Sequence, residues 1–446
     1  MGAKGEASGQ GGTGGGEGSG QRTSALSNYF RALRHRNFRL FWFGQLVSLI
    51  GTWMQSSAIL WLVHRLTREP IWLGAAGMAT FLPVLLFSLF AGVIVDRVPK
   101  RRLIIATQAV SLCLALALGT LTFTGAVTVH HILVVAFLLG TVNAFDMPAR
   151  QSFVIEMVGA EDVLNAVALN SSVFNVARVI GPSIAGILIA GAGEAPCFFL
   201  NSLSFVPIIV GLASMRLPER PRRPRRPILQ EVREGLLFTI ATPRIRSILQ
   251  AVAISSVFGI TFTILLPVFA DDVLGKGPRA YGLLLGAFGA GAVVGALRLA
   301  GRTSTKGSAR LVALGMATLG LSLVAFSYSR SFALSEILLF IVGGAMVTQL
   351  ATTNTLLQRL APDEMRGRIL SVYTFVLVGL TPVGSVLQGA VAQRLGAPWS
   401  VRIGALICIL GAVWFVTRIP RWRAALLLQP LQDSAGAARP GPYPGR

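Results

Sequence analysis

The chain has 446 residues, 53% of them hydrophobic and only 13% charged, with a mean hydropathy of +0.66. A soluble protein of this size with so few charges would carry more apolar surface than its core can bury, so the composition excludes that class and points to a bilayer. The net charge of +22 raises nucleic acid as a partner, but the positions of the charges along the chain assign them another role.

Residues 1–28 are a Gly/Ser-rich polar stretch without periodicity, read as a disordered tail with no apolar run of the secretory kind. Apolar runs long enough to cross a bilayer then lie at about 40–63, 73–95, 104–125, 131–149, 164–190, 197–214, 248–270, 281–299, 310–328, 333–356, 369–392 and 401–418. These twelve runs predict an all-α membrane protein, and an even number puts both termini on one side. Lys and Arg decide which side. The two tails and five alternate loops hold 32 of the 40, the six opposite loops hold 7, and Arg178 lies within a span. Both termini are therefore expected in the cytoplasm. The positive charge faces anionic headgroups and needs no nucleic acid.

The longest loop, residues 216–247, contains Arg220, Arg222, Arg223, Arg225 and Arg226 between prolines and reads as a stiff, solvated linker. It separates residues 29–215 from 248–418, six spans in each, and residues 419–446 read as a second disordered tail. The halves resemble each other. The fifth span holds Gly181-Pro182 and the eleventh holds Thr381-Pro382, each following an acidic loop (Glu161-Asp162 and Asp363-Glu364). Parallel six-helix repeats are the plan of a transporter with one site between its halves. Cys113, Cys197 and Cys408 fall in apolar runs, so neither a disulfide nor a metal site is expected, and no cofactor is implied.

Single residues sharpen this plan. Gln45, Ser48, Thr52 and Gln55 recur along one face of the first span. Arg178 is costly in a span, about 2.5–3.5 kcal/mol on insertion scales, so it must meet a partner or a polar interior. It shares a face of the fifth span with Ser171, Asn175 and Pro182, and can bind an anionic substrate, pair with a carboxylate such as Asp146, or pin helices together. The tenth span offers Thr348, Gln349, Thr352 and Thr353, and the eleventh Thr374, Thr381, Ser385 and Gln388. Gly181, Pro182 and Pro382 read as bends and close-packing points. No Asp or Glu is expected near the middle of any span, since Asp96, Asp146, Asp271, Asp272 and Glu336 all read as lying near helix ends. Asp146 is the best titratable candidate, and His35, His64, His130 and His131 all sit at interfaces, where headgroups are expected around them. No paired carboxylates at depth and no nucleophile–base set suggest an enzyme.

The loop after the second span reads Gly92-Val93-Ile94-Val95-Asp96-Arg97-Val98-Pro99-Lys100-Arg101-Arg102. It resembles the Gly-x-x-x-Asp-Arg-x-Gly-Arg-Arg loop of the major facilitator superfamily, with Pro99 in place of the usual Gly. Asn37-Phe38-Arg39-Leu40-Phe41, Asp146-Met147-Pro148-Ala149-Arg150-Gln151 and Pro362-Asp363-Glu364-Met365-Arg366-Gly367-Arg368 are similar to the branch that contains the enterobactin exporter and the macrolide efflux proteins. The resemblance covers about residues 30–418.

It implies two pseudo-symmetric six-helix bundles in the bacterial cytoplasmic membrane, exporting a small organic molecule, with protons as the coupling ion and a monomeric state. In this superfamily the first, fourth, seventh and tenth spans line the cavity, which fits the stripes on the first and tenth. With the polar face of the fifth added, Gln45, Ser48, Thr52, Gln55, Asn143, Asn175, Arg178, Thr348, Gln349 and Thr352 are the expected cavity residues. Gly92, Asp96, Arg97, Lys100 and Arg101 would form a gating loop, with Asp96 capping the eleventh span near Arg366 and Arg368, and Arg97 and Arg101 meeting Asp146 or Glu156 near Arg150. A lipid flippase and a non-transporting membrane sensor are the alternative functions.

Overall fold

The computed structural model describes residues 30–215, 228–302 and 307–436; the expected tail at 1–28 and the Arg-Pro stretch at 220–227 lie outside the described residues. Among the described residues there are twelve helices long and apolar enough to cross a membrane, and no strand. They run over Arg36–Thr67, Pro70–Arg97, Lys100–Phe123, Val129–Gly159, Glu161–Ala192, Ala195–Ala213, Pro243–Val273, Gly277–Ala300, Ser308–Tyr328, Phe332–Leu360, Arg366–Leu395 and, from Ala397, the twelfth. Each apolar run of the sequence is the centre of one helix, as a bilayer requires, because only a helix satisfies its own backbone there. The outer surface is apolar, with Leu203 at 65% and Leu410 at 67% exposure, the inverse of a soluble fold.

Four elements depart from the simple sequence reading. The linker is not wholly irregular, since Ile228–Ala241 is helical and Glu234 on it pairs with Arg368 at 2.5 Å. The last helix continues to Gly436, past the apolar run and into the segment read as a tail. The seventh span is broken by π turns at Ser255–Ile260 and Phe269–Val273 with a 3-10 turn between them. The eleventh is interrupted at Leu380, two residues before Pro382, whose ring and missing N–H cannot continue a regular helix.

The halves meet along two seams, the second span on the eleventh and the fifth on the eighth. Small residues allow both. A Cβ on Gly74 would lie 2.7 Å from the Ser385 carbonyl oxygen, and one on Gly389 would lie 2.9 Å from the Gly74 Cα. A Cβ on Gly282 would lie 2.6 Å from the Pro182 carbonyl oxygen and 2.8 Å from the Gly186 Cα. The backbones therefore touch directly, in the small-residue packing that membrane helices favour. Gly181 packs the fifth span on the first, where a Cβ would lie 2.6 Å from the Trp53 Cβ.

Candidate functional site

The first and fifth spans meet the eighth and tenth around Arg178. Its guanidinium carbon lies 4.7 Å from the Phe288 ring centre and 5.8 Å from that of Trp53, and its Nη2 is 4.0 Å from the Met346 sulfur. Of the readings open to Arg178, pairing with Asp146 does not form, since Asp146 pairs with Arg150. Aromatic faces from both halves hold the cation, an arrangement that stabilises a desolvated guanidinium without neutralising it. Asn175 donates to the Ser171 carbonyl one turn back at 2.9 Å, so the polar face of the fifth span is partly turned onto its own backbone. Beside Met346 a cleft of about 410 Å³ is lined by Val347, Leu350, Ala351, Asn354, Thr355 and Tyr373.

Asp146 is 3% exposed and lies close to the middle of its helix, because that helix extends ten residues beyond the apolar run, to Gly159. The expectation of a carboxylate near a helix end is thus corrected. Its Oδ1 accepts from Thr107 Oγ1 at 2.6 Å and Gln108 Nε2 at 3.1 Å, and its Oδ2 pairs with Arg150 one turn on. Ser48 donates to Gln108 Oε1 at 3.4 Å and joins the first span to this network. A buried carboxylate so surrounded is held in place on three sides.

The other cavity candidates divide. Gln55 accepts from Asn201 Nδ2 at 2.7 Å and Ser48 bonds to Gln108, so both point into the first half rather than towards the second, and Gln45 is buried with its Oε1 unpaired. Thr52 is half-buried and bonds back to the Ser48 carbonyl at 2.8 Å. Asn143 is exposed on the fourth span. Gln349 donates to Ser255 at 2.7 Å across to the seventh span, Thr352 is buried with its hydroxyl unpaired, and Thr348 bonds back to Gly344 at 2.7 Å. Arg178 and Asp146 are the two candidates with an ionisable group close to the middle of a helix.

The gating loop is partly rearranged. Lys100, not Arg97 or Arg101, pairs with Glu156. Arg101 donates to the carbonyls of Leu212 and Ala213 at 2.6 and 2.5 Å, capping the sixth helix with positive charge where its dipole is negative. Arg97 is exposed. Arg366 donates to Asp363 at 2.6 Å and to the Gln358 carbonyl at 3.1 Å. The side chain of Asp96 and the surroundings of Gly92 lie outside the described residues.

Sequence reasoning missed a further cluster. His64, placed among headgroups, is 1% exposed, and its Nε2 lies 3.3 Å from Asp271 Oδ2 on the seventh span. Arg68 reaches the same carboxylate at 2.5 Å. The one sequence signal was that Arg65 and Arg68, two of the few basic residues in the opposite loops, have acids to meet there, Glu194 and Asp271.

The sequence profile of a family described as transmembrane secretion effector matches residues 27–434. The chain is similar to the staphyloferrin A transporter of Staphylococcus aureus, with 24% identity over 85% of this chain and 96% of that protein. It is 26% identical to the multidrug efflux pump Tap of Mycolicibacterium fortuitum, over 79% of this chain and 88% of the other. Among solved structures, the nucleoside transporter NupG superposes with a TM-score of 0.68 at 11% identity, covering 86% of this chain and 99% of that one. At that identity the likeness establishes the fold alone.

Proposed function

The chain belongs to the transmembrane secretion effector family of major facilitator efflux transporters, and on that premise we propose that it exports an anionic or amphipathic small molecule, siderophore-like or drug-like, by alternating access driven by proton antiport. The observation that carries the cargo assignment is Arg178. It is a cation at the junction of four helices from both halves, it has aromatic neighbours, and among the described residues no carboxylate neutralises it. An anionic group on a cargo with apolar surface would find a charge-assisted donor and ring faces at one point. Because the surrounding rings belong to both halves, such a cargo would bridge them, which is what coupling of binding to rocking requires.

Asp146 is the carboxylate we assign to proton exchange. It is buried, and its partner Arg150 lies on the same helix, so a proton can replace the arginine without parting two elements. The positive-inside rule orients the chain with the Gly74–Gly389 end outward, so the seams close the outer end in this conformation. The relatives' cargoes, a siderophore and drugs, both fit a cavity of this character.

Uptake into everted membrane vesicles under an imposed proton gradient tests the proposal, with a panel of siderophores, macrolides and dyes. Gradient-dependent uptake of an anionic compound, abolished by a protonophore and by Asp146→Asn, is the expected result. Transport that ignores the gradient would sink the antiport assignment, and a strict preference for cationic compounds would sink the role of Arg178.

A further inference from the structure

Arg68 closes the first span in a left-handed conformation, φ 55°, and it is the one non-glycine residue with positive φ among the described residues. A side chain disfavours that region, and residues held there by their surroundings mark functional positions more often than chance. The turn sends the guanidinium out of the first half and onto the second. Its Nη1 lies 2.5 Å from Asp271 Oδ2 and 3.3 Å from Asp272 Oδ1. On a regular helix two consecutive side chains point about 100° apart. The π turn at Phe269–Val273 disturbs that spacing, and both carboxylates reach one cation.

One turn earlier, His64 faces the same pair, with Nε2 3.3 Å from Asp271 and 3.8 Å from Asp272. It is 1% exposed and its Nδ1 has no partner. The cover comes from both halves: the Trp61 ring stands edge-on to His64 and stacks on Tyr281 of the eighth span at 5.7 Å. Of the nearby charges, Arg65 is committed within the first half to Glu194 at 2.7 Å. Lys100 with Glu156 likewise ties helices of one half and Arg150 with Asp146 lies within one helix, whereas Arg68 and His64 join one half to the other.

We propose that Arg68, His64, Asp271 and Asp272 form a latch that holds the two halves together at the end where Gly74 meets Gly389, and that each transport cycle releases it. The proposal rests on the alternating-access reading. In that cycle the seams at this end must part, and these ion pairs part with them, as does the Ile71 N–H bond to Gln393 Oε1 at 3.4 Å. Their strength suits the task. Arg68 is 59% exposed and Asp272 46%, so water replaces the lost contacts on opening and the latch biases the equilibrium without fixing it. His64 is covered only while the end is closed, so opening gives its unpaired nitrogen to water.

The test measures the distance between the halves, which needs no cargo. Spin labels are placed at Ala126 and Arg330, exposed loop positions of opposite halves at this end, in a chain whose Cys113, Cys197 and Cys408 are replaced. Arg68→Glu should move the distance distribution outward, lowering the closed-to-open ratio by up to about fivefold, the range an exposed ion pair supports. Adding Asp271→Lys should bring it back, because the swapped charges attract again, and that rescue separates a latch from a misfolded variant. An unchanged distribution in Arg68→Glu, or a swap that leaves the end open, overturns the latch. A chain that passes this test yet moves no compound in the vesicle assay would count against the proposed cargo and leave the latch standing.

Discussion

The guanidinium of Arg178 rests 4.7 Å from the ring of Phe288, so a cation of the first half is seated on an aromatic face of the second. This contact crosses the fifth–eighth seam, where Gly289 makes room: a Cβ there would lie 3.1 Å from the Arg178 carbonyl oxygen. Charge, ring and seam are therefore one arrangement, and a change in any of them should be read in cargo handling.

Replacing Arg178 with Met keeps an apolar, flexible side chain in the cage and removes the charge. KM for an anionic cargo should rise about 10- to 100-fold, the loss of one or two hydrogen bonds to a charged group. Arg178→Lys should recover only part of it, because an ammonium cannot lie flat on the rings. Initial rates of vesicle uptake across a range of cargo concentrations measure both.

Asp146→Asn should abolish gradient-driven uptake and also destabilise the chain by about 3–5 kcal/mol, since Arg150 is left buried without its counter-charge. The double variant Asp146→Asn, Arg150→Gln should restore the thermal unfolding midpoint without restoring uptake. Recovery of both together would reduce Asp146 to a structural role.

Much of this could be read from the chain. The apolar runs gave every span, since a bilayer fixes the length of each helix and little else competes with that signal. Arg178 stood out because a charge inside an apolar run demands an explanation. What the sequence hid was direction. Gln55 and Gln45 share a stripe that reads as cavity wall or as bundle interior, and for Gln55 only the bond from Asn201 shows which. Asp146 was misplaced by the polar residues after Ala149, which ended the hydrophobic run while the helix continued to Gly159. His64 and Asp271 lie more than two hundred residues apart, and the contact between them follows from how the halves dock, which no local pattern encodes.

Gly282→Leu places a side chain against the Pro182 carbonyl and the Gly186 Cα, both backbone, which cannot yield. The closed end should open or the helices bend, at about 1–3 kcal/mol of overpacking strain. Insertion should remain normal, while transport falls below a tenth of the parent rate and the distance between labels at Ala126 and Arg330 lengthens.

Asp96→Asn should insert normally and transport at least about tenfold more slowly, since a carboxylate at the end of the second span is suited to the positive N-terminus of the eleventh, which begins at Arg366. Surface expression and uptake are measured side by side, and full uptake at normal expression would remove Asp96 from the gate.

The glycine seams carry one more consequence. Where Gly186 faces Gly282 and Gly74 faces Gly389, backbone lies on backbone with no side chain meshing into a facing groove. Surfaces without teeth resist being pulled apart through dispersion alone and offer little resistance to sliding. These two contacts therefore keep the halves close but do not index them. Further along the same seams Ser183 and Val179 seat against Gly286 and Gly289, and Ser385 against Gly77. How far one half has travelled along the other must be set by the groups that do project across, the cation on its ring at Arg178 and the charged contacts beyond the ends of the helices.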